Sequence, residues 1–351
     1  MEFTDIEYKK PIYKIKGLLW EHLKQYARLQ ELPISYDDLL NYDDLIPIID
    51  GDGNDTLWFS VLYRPDEVTY LIESLKRIYQ LLVSGGDEIP DLKIESIDFC
   101  SFGNSKPFRI KVVNEVNDNH DFYYVKKADA SRIYGLELEQ IFSPDKVYYL
   151  VHKDTLIEDH IVGIPCDDFI IKRKNIKIEN RVRFAKEFVK FNERCFVRLL
   201  GDMRAYNFVV EITQDFDNVQ YRLRAMDFDQ QSFEGSKSIY KPQYFKDNIE
   251  LVELAQELMT PAMAEQYMRQ ERAAMKKRYL SARPRTKSLL RRMKRDKIST
   301  IKNIEQLRND LALYHADISF KELNSMGEIL TLHLELSLGV DFFSPGLIPV
   351  K

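Results

Sequence analysis

The 351-residue sequence predicts an α+β protein with a β-rich part followed by a mainly helical part. Two patterns predict this class. From about residue 92 to 128, short strand-like stretches alternate with turns rich in Gly, Asn and Ser. Beyond Lys246, apolar residues recur at helical intervals as far as about Leu338. A chain of this length can bury a core for both parts.

Residues 1–91 are predicted to form a helical extension that packs on the β-rich part. Residues 11–31 and 66–84 place apolar side chains at helical spacing, and Gly85-Gly86 ends the second stretch. The segment DTLWFSVLY lies between these two stretches. We therefore expect the compact β-rich part to begin only at about residue 92.

Residues 92–168 follow the order of three strands, one helix and two strands. KIESIDFCSF, PFRIKVVNEV and DFYYVKK are the first three strands, and ASRIYGLELEQIF is a helix that ends before Ser143-Pro144. VYYLVH and residues 155–164 supply the remaining strands. In residues 169–351 we expect a helix over 181–194, a short strand in CFVRLL, a hairpin from FVVEI and VQYRLRAM, and then helices. The final segment SPGLIPVK is predicted to be loose.

Composition points to a cytoplasmic protein. No window approaches 18 uninterrupted apolar residues, so we expect no membrane span. The N-terminus carries acidic residues where a secretory signal needs an apolar run. Cys100, Cys166 and Cys195 are far apart and show no CxxC spacing, so we expect reduced, buried thiols.

The net charge of −5 is spread unevenly. Residues 269–297 contain 13 Lys and Arg against two acids, so this basic segment carries +11 and the remainder −16. Pro284 should divide it into two helices, with Leu289, Leu290 and Met293 facing the core. Three interpretations stay open: a solvated basic face, a site for an acidic or phosphorylated partner, or a nucleic-acid contact.

Three polar residues in the second half of the chain have the chemistry of a metal-nucleotide site. Asp202 and Asn207 lie five positions apart in LLGDMRAYNFVV, and Asp227 follows the second strand of the hairpin in RLRAMDFDQQ. Magnesium prefers hard oxygen ligands, usually one or two from the protein. Asn207 and Asp227 offer such oxygens, and the Asp202 carboxylate could accept a proton from a hydroxyl.

This order of elements resembles the protein-kinase-like superfamily, in which D-x-x-x-x-N, a hairpin and a D-F-G-type triplet follow one another. The resemblance extends over residues 94–229 and is sharp at 201–229. It implies a bilobal fold, with a small β-rich lobe at 92–168 and a helical lobe at 169–351. It also implies ATP and magnesium as cofactors, and transfer of a phosphoryl group to a hydroxyl of a protein or a small molecule.

The resemblance also implies roles for individual residues. Asp202 would be the catalytic base, and Arg204 would neutralise charge on the transferred group. Asn207 and Asp227 would hold the metal. Gly103 belongs to the loop CSFGNSKPF that would cover the nucleotide.

A lysine and a glutamate should pair beside the nucleotide phosphates in such a fold. For the lysine we favour Lys126 in FYYVKKA, with Lys127 as the alternative. Glu137 is the favoured partner, because it shares a helical face with Ile133 and Ile141, and Glu139 competes with it.

Several positions depart from the protein-kinase pattern. Leu200-Gly201 replaces His-Arg before Asp202, and Asp229 replaces the glycine of the triplet, which is more similar to aminoglycoside and choline phosphotransferases. The loop around residue 103 has one glycine, and no A-P-E segment follows the triplet. The sequence therefore predicts an atypical kinase, with a pseudokinase scaffold or a partner- or nucleic-acid-binding module as alternatives.

Overall fold

The structure, a computed structural model, describes residues 10–102, 104–173, 180–215 and 218–343. Its elements up to residue 173 are α1 (Gly17–Gln25), α2 (Tyr36–Leu39), β1 (Asp44–Ile49), β2 (Asp55–Leu62), α3 (Pro65–Ser84), β3 (Leu92–Cys100), β4 (Phe108–Asn114), β5 (His120–Lys127), α4 (Ala130–Phe142), β6 (Tyr149–His152), β7 (Thr155–Asp159), β8 (Ile164–Pro165) and α5 (Cys166–Arg173). The later elements are α6 (Arg181–Arg198), β9 (Phe208–Asp215), β10 (Asn218–Ala225), α7 (Ile249–Leu258), α8 (Pro261–Ser281), α9 (Arg283–Met293), α10 (Ile301–His315) and α11 (Met326–Leu338). The predicted α+β class is confirmed.

The chain divides into two compact units. Residues 14–129 and 147–160 form the first, which we call the sheet unit. The second, the helical unit, contains residues 10–13, residues 130–146 and the described residues from 161 onward. Helix α4, which the sequence grouped with the β-rich part, belongs to the helical unit.

An antiparallel sheet of seven strands, in the order β1-β2-β3-β4-β5-β7-β6, forms the body of the sheet unit. Helix α3 packs on this sheet through a stripe of apolar residues spaced three or four positions apart. The buried members of this stripe are Leu71, Leu75, Ile78 and Leu82. Pro65 stands in the first turn of α3, and Gly85 ends the helix in the left-handed region at φ +70°.

Residues 1–91 are more than the helical extension that the sequence predicted. Strands β1 and β2 lie in this region, and β2 pairs with β3 through Trp58 and Cys100. The proposed boundary at residue 92 therefore falls inside the sheet unit. Of the predicted helices, 66–84 appears as α3, whereas only α1 forms within 11–31.

The helix predicted for residues 181–194 is longer in the structure, and the strand predicted for CFVRLL is wrong. Helix α6 continues to Arg198, and Leu199 ends it in the left-handed region at φ +53°. Cys195, Phe196 and Val197 are buried within the helix. A short apolar run fits a buried helix and a buried strand equally well, so its periodicity could not decide between them.

Other predictions for the helical unit are confirmed. Strands β9 and β10 form the hairpin in antiparallel register, and β8 adds a third strand beside β9. Helix α4 ends at Phe142, before Ser143-Pro144. Helices α7–α11 fill most of the chain after residue 246, whereas the segment SPGLIPVK lies outside the described residues. None of the helices in the described ranges is long and apolar enough to cross a membrane.

The basic segment contributes to the core as well as to the surface. Pro284 stands in the first turn of α9, and Leu289, Leu290 and Met293 are fully buried, as predicted. Three of its arginines pair with acidic side chains that are at least 95% buried: Arg272 with Glu193, Arg278 with Glu271, and Arg285 with Glu137. The exposed cations of the segment are Arg269, Lys277, Arg291, Arg295 and Lys297. Three of the segment's 13 cations therefore pair with buried acids.

Cys166 and Cys195 are buried as predicted, and all three cysteines are free. Cys100 departs from the prediction because it is only partly buried, near the end of β3. Burial raises the pKa of all three thiols, so each favours the protonated form.

Two histidines of the helical unit, the buried His333 and the partly buried His315, are hydrogen-bonded to each other. The imidazole of His315 lies 2.8 Å from Nδ1 of His333, whose Nε2 lies 3.0 Å from the carbonyl oxygen of Phe196. Both contacts form together when His333 donates to Phe196 and accepts from His315. Burial lowers the pKa of His315 to about 4 and that of His333 to about 3. Both rings are thus neutral in the folded protein at pH 7.

Acid is expected to destabilise the protein through this pair. Below about pH 6.5 the unfolded chain protonates both histidines while the folded chain does not. For the fully buried His333 this lowers the free energy of unfolding by up to about 1.4 kcal/mol per pH unit, down to about pH 4. The contribution of His315, which is only partly buried, is smaller because solvent screens its charge. Denaturant titrations at pH 7 and pH 5 measure this loss. His333→Gln should reduce the difference between the two pH values, whereas His120→Gln, at an exposed position, should not. Equal pH dependence in parent and His333→Gln would contradict the assignment.

Candidate active site

The loop that carries Asp202 is fixed by backbone contacts. Asp202 lies in the left-handed region at φ +57°, which Asp tolerates better than most residues. Its N–H donates to the Ile239 carbonyl at 3.3 Å, and the Gly201 N–H donates to that of Gln230 at 3.2 Å. A Cβ at Gly201 would lie 3.1 Å from the Gln230 oxygen and from a methyl group of Ile239. The glycine before Asp202 thus permits a close approach of two chain segments.

Arg204 and Asn207 both contact the Asp202 side chain. Arg204 Nε donates to Asp202 Oδ1 at 2.9 Å, and Asn207 Nδ2 lies 3.4 Å from Oδ2. Asn207 Nδ2 also donates to the backbone oxygen of Asp202 at 2.7 Å. About 20% of the Asp202 side chain is exposed, so the carboxylate is held but accessible. Nη1 of Arg204 lies 3.7 Å from Oδ2 of Asp247.

The Asp202 carboxyl titrates near neutrality. Burial, which disfavours the charged form, raises its pKa from 3.8 to about 7. The hydrogen bond from Arg204 opposes this rise, and the nearby charges of Asp227 and Glu234 add to it. A carboxyl group with this pKa can accept a proton at neutral pH and release it again.

The hairpin brings Asp227 next to Asn207, as the sequence predicted for a shared site. The Asn207 carbonyl accepts from the N–H groups of Met226, at 3.0 Å, and Asp227, at 3.4 Å. These bonds join the loop before β9 to the end of β10. Asp202, Asn207 and Asp227 are therefore parts of one hydrogen-bonded cluster.

Asn207 and Asp227 have the donor atoms that a magnesium ion would need. The amide nitrogen of Asn207 is bound to Asp202, and its amide oxygen accepts no hydrogen bond from the described residues, so this oxygen is available as a ligand. About 32% of the Asp227 side chain is exposed. Two protein oxygens are a usual share of a magnesium shell. The described residues contain no group of three or more His, Cys, Asp and Glu suited to a metal.

Arg132 on α4 is a site residue that the sequence did not single out. One of its guanidinium nitrogens lies 2.7 Å from Asp227 Oδ1 and 2.9 Å from Asp229 Oδ1. Arg132 is only 1% exposed, and Asp229 is 5% exposed. The aspartate in place of the triplet glycine is therefore half of a buried ion pair. The sequence did offer one sign of such a partner. Asp227 and Asp229 lie two positions apart, and two neighbouring carboxylates favour a cation between them.

Gly135 permits α4 to lie against the triplet. A Cβ at this position would lie 2.9 Å from Cβ of Phe228, closer than side-chain atoms normally approach. The Phe228 ring is fully buried. The glycine one turn after Arg132 thus explains how the helix comes close enough for Arg132 to reach Asp227.

The acids of α4 have arginine partners in the helical unit. Glu137 is fully buried, and its two carboxylate oxygens accept from Arg285 Nε at 2.8 Å and Nη2 at 2.5 Å. Its competitor Glu139 pairs with Arg198 on α6. Both acids thus have structural partners that the sequence did not predict.

In the sheet unit, Lys126 is buried and its Nζ lies 2.6 Å from Glu158 on β7. Within its own unit Lys126 therefore pairs with a strand residue. The predicted pairing with Glu137, which belongs to the helical unit, stays a prediction. Lys127, the alternative, is the last residue of β5 and is partly exposed. Gly103 lies outside the described residues.

No protein-family profile matches the chain, and no curated protein is significantly similar to it.

Proposed function

We propose that the protein is an ATP- and magnesium-dependent phosphotransferase of atypical kinase type, which acts on a hydroxyl of a protein or a small molecule. The observation that carries this proposal is the cluster of Asp202, Asn207 and Asp227. A proton-accepting carboxylate, an available amide oxygen and a partly exposed carboxylate lie together on loops next to a hairpin. Phosphoryl transfer relies mainly on positioning and charge neutralisation, which such a cluster can supply.

Each side chain has a specific task in the proposed reaction. Asp202 orients the acceptor hydroxyl and takes its proton, and Arg204 holds the Asp202 carboxylate in place. Asn207 and Asp227 hold the metal, which would neutralise phosphate charge when bound. Lys126 is the candidate contact for the nucleotide phosphates. Glu158, its partner in the sheet unit, would help to orient it.

A pseudokinase is the second candidate, and Arg132 favours it. The guanidinium of Arg132 pairs with Asp227 and Asp229. It therefore neutralises the negative charge that would attract a metal ion to Asp227. A chain with its own cation at Asp227 could bind a nucleotide without magnesium. The two functions therefore predict a different dependence of ATP binding on the metal.

Replacing Asp227 with Ala is expected to abolish magnesium-dependent binding of ATP. The fold should survive, because Asp229 stays as a partner for Arg132. Thermal unfolding with ATP, with and without magnesium, measures the binding. The parent should gain about 2.7 kcal/mol of stability at a ligand concentration 100 times its dissociation constant, and the variant should lose the magnesium-dependent part.

Glu305→Ala, which removes an exposed carboxylate on α10, is the matched control and should behave like the parent. Equal stabilisation of the parent by ATP with and without magnesium would favour the pseudokinase. No response to either condition would contradict nucleotide binding altogether.

A further inference from the structure

A groove in the helical unit lies on elements that the proposed reaction does not use. It has a volume of about 430 Å³, within the roughly 300–1,000 Å³ of small-molecule pockets. Helices α6, α7 and α8 supply most of its wall. The lining is largely apolar and includes Phe188, Phe196, Val252, Met259, Ala264 and Met268.

Lys241 is the cation in this wall. Its ammonium lies 4.2 Å from the centre of the Phe196 ring and 5.0 Å from that of Tyr314. Among the described residues it has no hydrogen bond or ion pair with an acid. Aromatic faces attract a cation, but less strongly than a carboxylate at hydrogen-bond distance. Lys241 is therefore a cation without an anionic partner beside an apolar groove.

The acid next to Lys241 is already paired. Glu193 also lines the groove, is 2% exposed, and forms its ion pair with Arg272. Glu271, which lies nearby, pairs with Arg194 and Arg278. The neighbouring acids therefore compensate the positive charge of Lys241 only in part.

Burial has a cost for this lysine. Removal from water lowers the pKa of Lys241, and the charge of Glu193 opposes that effect only in part. An anionic group bound beside the ammonium would offset this cost, because an opposite charge stabilises the charged form of the lysine. The groove and the lysine therefore favour the same occupant, a molecule with an apolar body and one negative end.

We propose that this groove binds an amphipathic carboxylate of the fatty-acid class, with its chain among α6, α7 and α8 and its carboxylate on Lys241. The apolar lining accounts for the chain, and the only partly compensated ammonium accounts for the choice of an acid over an alcohol. The limited volume favours a small molecule over a segment of another protein. The lining of the groove does not include Asp202, Asn207 or Asp227, and the proposal does not depend on phosphoryl transfer.

Titration calorimetry of the full chain with dodecanoate and with dodecanol, both below the concentrations at which they aggregate, tests this site. The parent should bind dodecanoate more tightly than dodecanol. Lys241→Met, which keeps the apolar stem of the side chain, should weaken dodecanoate at least about tenfold and leave dodecanol unchanged. Lys277→Met, at an exposed position on α8, is the matched control and should change neither.

A second variant tests the groove itself. Ala264→Phe should fill part of it and weaken both ligands, while circular dichroism checks that the helices are kept. Failure of the parent to bind dodecanoate would overturn the proposal. So would equal affinity of the parent for acid and alcohol, or unchanged dodecanoate binding in Lys241→Met.

Discussion

Asp202→Asn is expected to slow phosphoryl transfer by about 10²- to 10⁴-fold, the usual contribution of a general base. The substitution keeps the shape of the side chain and removes the group that accepts the proton. Nucleotide affinity should stay close to that of the parent, because Asn207 and Asp227 are unchanged. Rates of phosphate transfer or ATP hydrolysis, measured together with ATP affinity, separate the two effects.

The pH profile gives a second readout of the same residue. Only the deprotonated Asp202 carboxylate accepts a proton, so the parent's rate should fall as the pH drops through about 7. Glu234→Gln removes a negative charge that raises the pKa of Asp202. Its profile should therefore shift to lower pH. Equal rates in parent and Asp202→Asn would remove Asp202 from the mechanism, and an inactive parent would favour the pseudokinase.

Arg285→Ala is expected to destabilise the helical unit by about 3–5 kcal/mol, the cost of breaking a buried ion pair from one side. Arg285 holds both carboxylate oxygens of Glu137, which has no exposed surface. Without the arginine this carboxylate loses its bidentate partner in a water-free environment. Denaturant unfolding measures the loss.

Two further variants separate lost charge pairing from lost packing. Arg291→Ala, at an exposed position on the same helix, should change stability by less than about 0.5 kcal/mol. The double variant Glu137→Leu with Arg285→Met should recover most of the loss, because apolar pairs replace buried ion pairs well. A double variant as unstable as Arg285→Ala would show that the shape of the pair, and not its charge, stabilises the helix.

The parts of the site that the sequence predicted are local. Asp202, Asn207 and Asp227 lie within 26 residues, and turns, a glycine and a hairpin placed them in order. In the structure, the Asn207 carbonyl accepts hydrogen bonds from the N–H groups of Met226 and Asp227, so Asp227 lies beside Asn207. Short-range patterns of this kind depend on neighbours in the chain, so sequence reasoning could find them.

The parts that the sequence missed depend on distant partners. Arg132 meets Asp227 across 95 positions, and nothing near Arg132 in the chain indicates that contact. Glu137 was favoured as the partner of the lysine because of the helical face on which it lies. The position of a residue on a helix does not determine which distant cation pairs with it. Arg285 meets it across 148 positions.

The missed strands have a different cause. Strand β1 contains Pro47 and has only partly buried or exposed side chains, so it lacks the alternation of a half-buried strand. It lies at the edge of the sheet, where proline is tolerated. Its place became visible only through pairing with β2.

The pairing of α4 has a consequence for how the chain folds during synthesis. All strands of the seven-stranded sheet have been synthesised once the ribosome reaches residue 160. Helix α4 precedes β6 in the chain, but its arginine partners are synthesised later. Arg198 follows Glu139 by 59 positions, and Arg285 follows Glu137 by 148. At the usual pace of about 5–20 residues per second, Arg285 is made roughly 7 to 30 seconds after Glu137. The ion pairs of α4 can therefore form only after the strands of the sheet have been made, so we expect the packing of the helical unit around α4 to be a late step of folding during synthesis.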